Sequence, residues 1–328
     1  MKAFVMQRYG GPAVAAIADA PEPAARPRDV TIEVKAASLN PIDFKLRQGK
    51  AKLAIHPTMP AILGCDVAGV ITAVGPEVTR FRIGDEVCAR LEKDRMGGLA
   101  ERVCADEQVV AKRPTSVGFA EAASLPLAGL TALQALREVA GVTAGQRVLV
   151  HAGAGGVGTL AIQIAKHLGA HVLTTTSTKN VELVRSLGAD EVIDYTRDDL
   201  GAIRGLDAVF DTLGTERASL RMCRRGGVVV GVSGLPDGAF GRRALPIWIR
   251  PGLWLATLPR RLTAWRAGAR FAFLFMRPDG GELAELAGWV DAGVLKPVLH
   301  RTYPFAETGE AFAELERGRA RGKIVVAM

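Results

Sequence analysis

The stretch Val148-Leu149-Val150-His151-Ala152-Gly153-Ala154-Gly155-Gly156-Val157-Gly158 constrains this chain more than any other. An apolar strand runs straight into Gly153, Gly155 and Gly158, spaced as G-x-G-x-x-G, and helical apolar spacing follows. A bare glycine triplet says little, but one set between a strand and a helix has a mechanism. Glycines let the backbone turn tightly and approach a pyrophosphate, and the helix N-terminus offers it free N–H groups and the positive end of a dipole. Gly153, Ala154, Gly155, Gly156, Val157 and Gly158 are therefore read as the phosphate-contacting turn of a dinucleotide site.

Strands and helices alternate around this turn. Strands are expected over 147–151, 171–176, 192–195, 208–211 and 228–232, and helices over 122–137, 157–168 and 181–187. That order predicts a doubly wound parallel sheet. Gly169 and Gly188 stand where helix C-caps want glycine. Before the turn, short strands at 30–36, 67–74 and 86–89, broken by Gly-Pro, Gly-Asp and Pro-Arg dipeptides, read as a β-rich barrel or sandwich. A helix over 282–292 and a strand over 322–326 follow the sheet. A length of 328 residues accommodates two domains. The expected organisation is a β-rich domain of residues 1–121 and 282–328 and an α/β domain of residues 122–281.

Composition narrows the class. No apolar run reaches the roughly 20 residues of a membrane span, and Met1–Met6 alternates like a strand instead of showing a signal-peptide layout. The reading is a cytoplasmic protein. The four cysteines, Cys65, Cys88, Cys104 and Cys223, form no C-x-x-C pair, so a structural zinc lobe is not expected. The formal charge of +8 is local: between Asp237 and Asp279 there is no acidic residue but there are eight arginines, Arg242, Arg243, Arg250, Arg260, Arg261, Arg266, Arg270 and Arg277. The other basic residues balance the acidic ones at 34 each. A charge excess confined to one segment argues against a general nucleic-acid surface.

An NAD site usually carries an acid about 20 residues past the glycines, on the ribose 2′-hydroxyl. Here that region reads Thr174-Thr175-Thr176-Ser177-Thr178-Lys179. Hydroxyls and a cation suit a 2′-phosphate, which a carboxylate would repel. Ser177 and Lys179 are therefore candidate 2′-phosphate contacts, and NADP(H) is the expected cofactor.

Several segments carry a family likeness. Ala152–Gly158 with Gln163 and Lys166 resembles the signature of quinone oxidoreductases and zeta-crystallin, and residues 37–50 resemble plant alkenal/one oxidoreductases. Gly64–Val70, Gly84–Val87, Pro126–Ala132 and Gly322–Val326 also fit. The likeness covers nearly the whole chain and fails over about 235–270. It implies the zinc-independent medium-chain dehydrogenase/reductase fold, a GroES-like β-rich catalytic domain split around a Rossmann domain, commonly dimeric or tetrameric. Zinc-dependent relatives place a cysteine at the position of Asn40 and a histidine at that of Cys65, so a zinc-polarised mechanism is not expected.

The resemblance also assigns roles. Asn40 becomes a candidate to bond a substrate carbonyl or the nicotinamide ribose, with turn-capping before Pro41 as its structural alternative. Lys45 becomes the candidate oxyanion partner or proton donor, with solvent as the other proton source. Thr131 matches the threonine near the nicotinamide, and Tyr195 the tyrosine beside the 2′-phosphate. Arg321 or Lys323 would add to that phosphate site, and Leu213, Ser233 and Phe275 complete the expected cofactor contacts.

Without a metal, quinones and α,β-unsaturated carbonyls are the natural hydride acceptors. The alternatives are an enoyl-thioester reductase, with the arginines holding a carrier, and an NADPH-binding protein whose main role is nucleic-acid or membrane-surface binding. Residues 238–270 mix arginines with Trp248, Trp254 and Trp265 and with Pro246, Pro251 and Pro259. They are expected to form a mobile, partly helical cover over the active site, able to meet a membrane face or a long acyl substrate. Phe271–Met276 reads as a flat apolar edge strand, which predicts a homodimer joined at that edge.

Overall fold

The computed structural model describes residues 1–52, 55–244 and 247–328. In chain order the strands are β1 (Lys2–Met6), β2 (Ala15–Asp19), β3 (Asp29–Ser38), β4 (Ala61–Ile62), β5 (Asp66–Val74), β6 (Glu86–Arg90), β7 (Arg102–Asp106), β8 (Val110–Lys112), β9 (Arg147–Val150), β10 (His171–Thr176), β11 (Glu191–Asp194), β12 (Leu206–Asp211), β13 (Cys223–Gly231), β14 (Arg270–Phe273), β15 (Leu299–Pro304) and β16 (Lys323–Ala327). The helices are α1 (Pro41–Arg47), α2 (Phe119–Ser124), α3 (Pro126–Leu133), α4 (Gly156–His167), α5 (Val181–Ser186), α6 (Glu216–Met222), α7 (Gly238–Ala244), α8 (Arg250–Ala256), α9 (Leu258–Ala267), α10 (Gly280–Asp291) and α11 (Thr308–Glu316).

The chain forms two compact units, Met1–Leu130 with Arg277–Met328, and Thr131–Met276. The divisions expected after residues 121 and 281 lie nine and five residues from these, and residue 122 falls inside α2.

The first unit is β-rich. Its main sheet runs β15-β16-β3-β5-β6-β8, with β7 also on β3, and a smaller sheet runs β2-β1-β4. In β3, Val30, Ile32 and Val34 are buried while Thr31, Glu33 and Lys35 are half-buried on the other face, the alternation a one-sided sheet requires. They join a core with Val67, Ile71, Leu99 and Phe312. Each such side chain, fully buried, contributes about 1.5–3 kcal/mol. Ser38 at the end of β3 pairs with Asp66 at the start of β5 and with Val325 in the middle of β16, so the three strands meet at one point.

The second unit is the doubly wound sheet, all parallel, in the order β11-β10-β9-β12-β13-β14. Gly169 and Gly188 follow α4 and α5 with φ of +83° and +101°, the left-handed C-cap that glycine adopts without strain. The single helix expected over 122–137 is broken. α2 ends at Ser124, and Pro126, which has no N–H to donate, opens α3. The helix then continues past Leu133 as a π-helical stretch to Ala140, closed by Gly141 at φ +64°.

One further expectation changes. The edge strand expected over 271–276 ends at Phe273, because its partner β13 ends at Gly231, the residue paired with Phe273. β14 is nevertheless the last strand of its sheet. The arginine-rich stretch folds into α7, α8 and α9, with a 3₁₀ turn at Ile247–Ile249. Pro246 and the side chain of Arg243 lie outside the described residues. Among the described residues no helix is long and apolar enough to cross a membrane.

Candidate dinucleotide site and a buried polar cluster

The glycine turn of the second unit joins β9 to α4, and its glycines are required for different reasons. A methyl group added at Gly153 would lie 2.0 Å from Thr174 Oγ1 and 2.9 Å from Ile162 Cδ1. One added at Gly158 would lie 2.3 Å from the Ala152 carbonyl oxygen and 2.8 Å from Gly153 Cα. At Gly155 the nearest atom is the Ala152 oxygen at 3.2 Å, so this position is free of side-chain contact. Gly155 is also the α4 N-cap and has no side chain to satisfy the first-turn N–H groups of Gly156, Val157 and Gly158. The turn is thus a cradle of open backbone donors at a helix N-terminus, which fits a pyrophosphate.

Side chains beneath the turn hold it. Ala152 has φ +53°, a left-handed conformation that is strained for a residue with a Cβ. Its N–H donates to Thr175 Oγ1 at 3.1 Å. His151 Nδ1 is 3.1 Å from the same hydroxyl, and its Nε2 is 3.3 Å from Ser219 Oγ. Ser219 Oγ donates to Asp211 Oδ2 at 3.0 Å, and Asp211 Oδ1 accepts the Leu213 and Gly214 N–H groups at 2.9 Å. Burial pushes the His151 imidazole below its usual value, so it is neutral at pH near 7. The network links the glycine turn to the loop after β12.

Beside it lies a pocket of about 480 Å³ lined by Thr175, Tyr195, Leu213, Arg204 and Arg221 among others. Tyr195 and Leu213 are 56% and 57% exposed, so two of the residues expected at the cofactor present apolar surface to this pocket. It is roomy enough for an adenosine, and its apolar faces suit a purine ring. Arg204 and Arg221 were not legible as pocket residues, since neither stands near a motif.

The hydroxyls at the end of β10 divide in a way the sequence expectation did not anticipate. Thr174, Thr175 and Thr176 are buried. Thr174 Oγ1 donates to the Val150 carbonyl at 2.8 Å, and Thr175 braces Ala152, so these hydroxyls serve the sheet and the turn and are not open to a phosphate. Ser177 is half-buried and Lys179 is exposed, and the Lys179 ammonium has no hydrogen bond or ion pair among the described residues. The fold also brings in an acid that the local sequence lacks. Asp194 of β11 accepts from Thr178 Oγ1 at 2.5 Å and from the Thr196 N–H at 3.0 Å. The bond from Thr178 holds its carboxyl below the usual range.

The other expected cofactor residues are dispersed. Thr131 is buried in α3. Ser233 Oγ donates to the Thr212 carbonyl at 3.1 Å, beside Leu213. Phe275 is 40% exposed and packs on Phe240 with centroids 5.6 Å apart. Arg321, in the first unit, is exposed, and its N–H donates to His300 Nδ1 at 3.3 Å.

In the first unit, Asn40, Asp43, Cys65, Asp66, Arg90 and Lys323 make a buried polar cluster where β3, β5 and β16 meet. Asn40 Nδ2 donates to Asp66 Oδ2 at 2.8 Å, and Asn40 Oδ1 accepts from Lys323 Nζ at 2.5 Å. Lys323 Nζ also donates to the Leu39 carbonyl at 3.1 Å and stands 3.6 Å from Asp66. Asp66 further accepts from Ser38 Oγ and from the Leu127 N–H. These contacts bear on two expectations. Lys323 is 5% exposed, with its ammonium held by Leu39, Asn40 and Asp66. Asn40 is 2% exposed with both ends of its amide engaged, and its backbone N–H donates to Asp43 Oδ2 at 2.7 Å at the start of α1. Lys45, one turn further along α1, is half-buried, and its ammonium has no partner among the described residues.

The chain matches two known domains: an alcohol dehydrogenase GroES-like domain over residues 26–115 and a zinc-binding dehydrogenase domain over residues 187–326. It is 37% identical over 338 residues to the chloroplastic NADPH-dependent alkenal/one oxidoreductase of Arabidopsis thaliana, covering 99% of this chain and 79% of that protein. The chain belongs to the medium-chain dehydrogenase/reductase family. Within that family its fold matches the quinone oxidoreductase from Coxiella burnetii with a TM-score of 0.86 and 34% identity, covering 100% of this chain and 99% of that one. A mycobacterial protein solved in complex with NADPH matches with a TM-score of 0.80 and 29% identity, covering 100% of both chains. The chain is thus an oxidoreductase built from the two domains its sequence resembles.

One matched domain is described as zinc-binding, and the donor set here does not fit that metal. Asn40 turns its Nδ2 donor toward Cys65 Sγ at 3.5 Å. Burial pushes the Cys65 thiol well above its usual range, whereas a zinc ligand must be a thiolate. Among the described residues no three His, Cys, Asp or Glu side chains are grouped to hold a metal.

Proposed function

We propose that this protein is an NADPH-dependent reductase that transfers hydride to a quinone or an α,β-unsaturated carbonyl without a metal. The observation that carries this reading is the glycine turn, whose packing excludes side chains while its N–H groups stay open beside a pocket roomy enough for an adenosine. Bound NADPH would supply the hydride. The open amides of Gly156–Gly158 hold the pyrophosphate, Tyr195 and Leu213 flank the adenosine, and Lys179 and Ser177 meet the 2′-phosphate. Thr131, Ser233 and Phe275 are assigned to the rest of the cofactor.

Lys45 is the group we assign to the substrate. An ammonium on a half-buried helix, with no carboxylate partner among the described residues, can stabilise an oxyanion developing on the acceptor or deliver its proton. The polar cluster around Asn40 and Lys323 acts as a positioning element: it fixes the start of α1 and hence the place of Lys45.

We further propose a cytoplasmic homodimer joined along β14, the last strand of its sheet, and contact with a membrane that holds a lipophilic acceptor. The deciding experiment is NADPH oxidation against a benzoquinone, phenanthrenequinone, acrolein, a long-chain enone and crotonyl-CoA. Turnover with quinones or enones is expected. Activity confined to the thioester would favour the enoyl-thioester reading, and activity with none of them would overturn the proposal. A monomer in sedimentation at micromolar concentration would overturn the dimer.

A further inference from the structure

Six of the fourteen large hydrophobic side chains exposed among the described residues fall within residues 247–265: Ile247, Trp248, Trp254, Leu255, Leu262 and Trp265. Trp248 and Trp265 are 76% and 79% exposed. A soluble surface scatters such residues singly; a cluster of them marks a contact. No acidic residue interrupts the chain between Asp237 and Asp279.

The arginines of this segment divide by direction. Arg260 turns inward: it is 7% exposed, donates to the Leu235 and Pro236 carbonyls at 2.6 and 3.0 Å, and lies over the Phe271 ring at 3.9 Å. It anchors α9 to the sheet. Arg261, Leu262, Trp265 and Arg266 turn outward at the spacing that puts residues on one helical face, while Arg260 and Thr263 are buried. The Arg261 guanidinium lies 4.9 Å from the Trp254 ring centroid, which joins the exposed side of α8 to the outer face of α9. Neither Arg261 nor Arg266 pairs with a carboxylate among the described residues.

We propose that the outer face of α8 and α9 is a docking surface for a bilayer rich in anionic phospholipid. Indole rings and arginines are the side chains that favour the membrane interface, and a helix lying in its plane buries leucine and tryptophan while its arginines meet anionic headgroups. Charge complementarity selects this occupant. A second copy of the same face would set arginine against arginine, and a nucleic acid would leave Ile247, Leu255 and Leu262 without an apolar partner. The assignment deepens the proposed membrane contact and rests on that reading, but binding to a bilayer is measurable apart from catalysis.

The test is co-sedimentation of the full chain with phosphatidylcholine vesicles, with and without phosphatidylglycerol, at low and high salt. Tryptophan emission is recorded alongside. Binding is expected to need the anionic lipid, to fall steeply with salt, and to shift the emission to the blue. The double variant Arg261→Gln/Arg266→Gln is expected to bind about 30-fold more weakly, from roughly 1 kcal/mol for each arginine at an anionic surface. Trp248→Ala/Trp265→Ala is expected to lose most of the blue shift. All four positions are exposed, so both variants should fold, and each should keep wild-type turnover of a water-soluble quinone. Absence of binding to anionic vesicles at low salt overturns the proposal. So do unchanged binding by both variants, self-association through this face, and tighter binding to nucleic acid that displaces the vesicles. Vesicle binding without any NADPH turnover would instead sink the reductase reading and leave the docking surface standing.

Discussion

Lys323 Nζ donates to Asn40 Oδ1 at 2.5 Å, joining the first residue of β16 to the loop before α1 across 283 positions of sequence. With Asp66 at 3.6 Å, this ammonium is the cation paired with that buried carboxylate.

Lys323→Met is therefore expected to leave Asp66 buried without its cation. Removing one partner of such a pair costs about 3–5 kcal/mol, and the thermal midpoint should fall accordingly. The ratio of NADPH to NADH affinity should not move. A change in that ratio with the midpoint intact would return Lys323 to the phosphate site.

Lys179→Ala addresses the cofactor directly. Loss of one charge-assisted contact is worth about 1.5–3 kcal/mol, so NADPH should bind roughly 10- to 150-fold more weakly. NADH binding and the thermal midpoint should be unchanged, because the Lys179 side chain is exposed and engages nothing among the described residues. Equal weakening of both cofactors, read by fluorescence titration, would contradict the assignment.

The three glycines of the turn should respond differently to alanine. Gly158→Ala drives a methyl group into the backbone at Ala152 and Gly153, which cannot move aside, so stability should drop. At Gly153 the closest atom is a side-chain hydroxyl, so Thr174→Ala should restore part of what Gly153→Ala loses. Gly155→Ala meets only one atom, at 3.2 Å, and should fold normally while weakening NADPH roughly tenfold or more by intruding on the pyrophosphate. Calorimetry paired with cofactor titration separates these outcomes.

Asp43 predicts a pH dependence of stability. Burial raises its carboxyl from 3.8 to about 7. Below the unfolded value both states hold the proton. As pH rises from there to about 7, the unfolded chain releases it while the folded one keeps it, so stability falls across that window and is level above it. Asp43→Asn should flatten this part of the curve of thermal midpoint against pH. An unchanged slope would show that another group carries it.

What the sequence disclosed follows the range of the interactions involved. The glycine turn, the strand on one side of it and the helix on the other lie within a few residues, and their periodicity and turn chemistry are local. The break at Pro126 was open to the same local reasoning, since proline ends a helix. The hydroxyls of Thr174–Thr176 were not. β10 is buried on both faces, so no alternation separates the side chains that brace the turn from those that face a ligand. The roles of Asn40 and Lys323 were hidden for the opposite reason: their partners are set by the meeting of β3, β5 and β16, a relation that no window of sequence contains. Asp194 beside Thr178 is of the same kind, supplied by the neighbouring strand.

The two units also differ in when they can close during synthesis. Residues 131–276 are continuous, and every strand of their sheet is available once β14 has emerged. The first unit leaves a gap beside β3 that only β16, some 285 residues later, can fill. Until then the β3 edge stands open over residues 36–38, beyond the part that β7 pairs, and so does the seat of the Lys323 ammonium beside Asn40 and Asp66. A nascent chain of this protein thus carries a finished nucleotide-binding fold joined to an unfinished sheet, and that sheet edge is where a chaperone would find its longest-lived target.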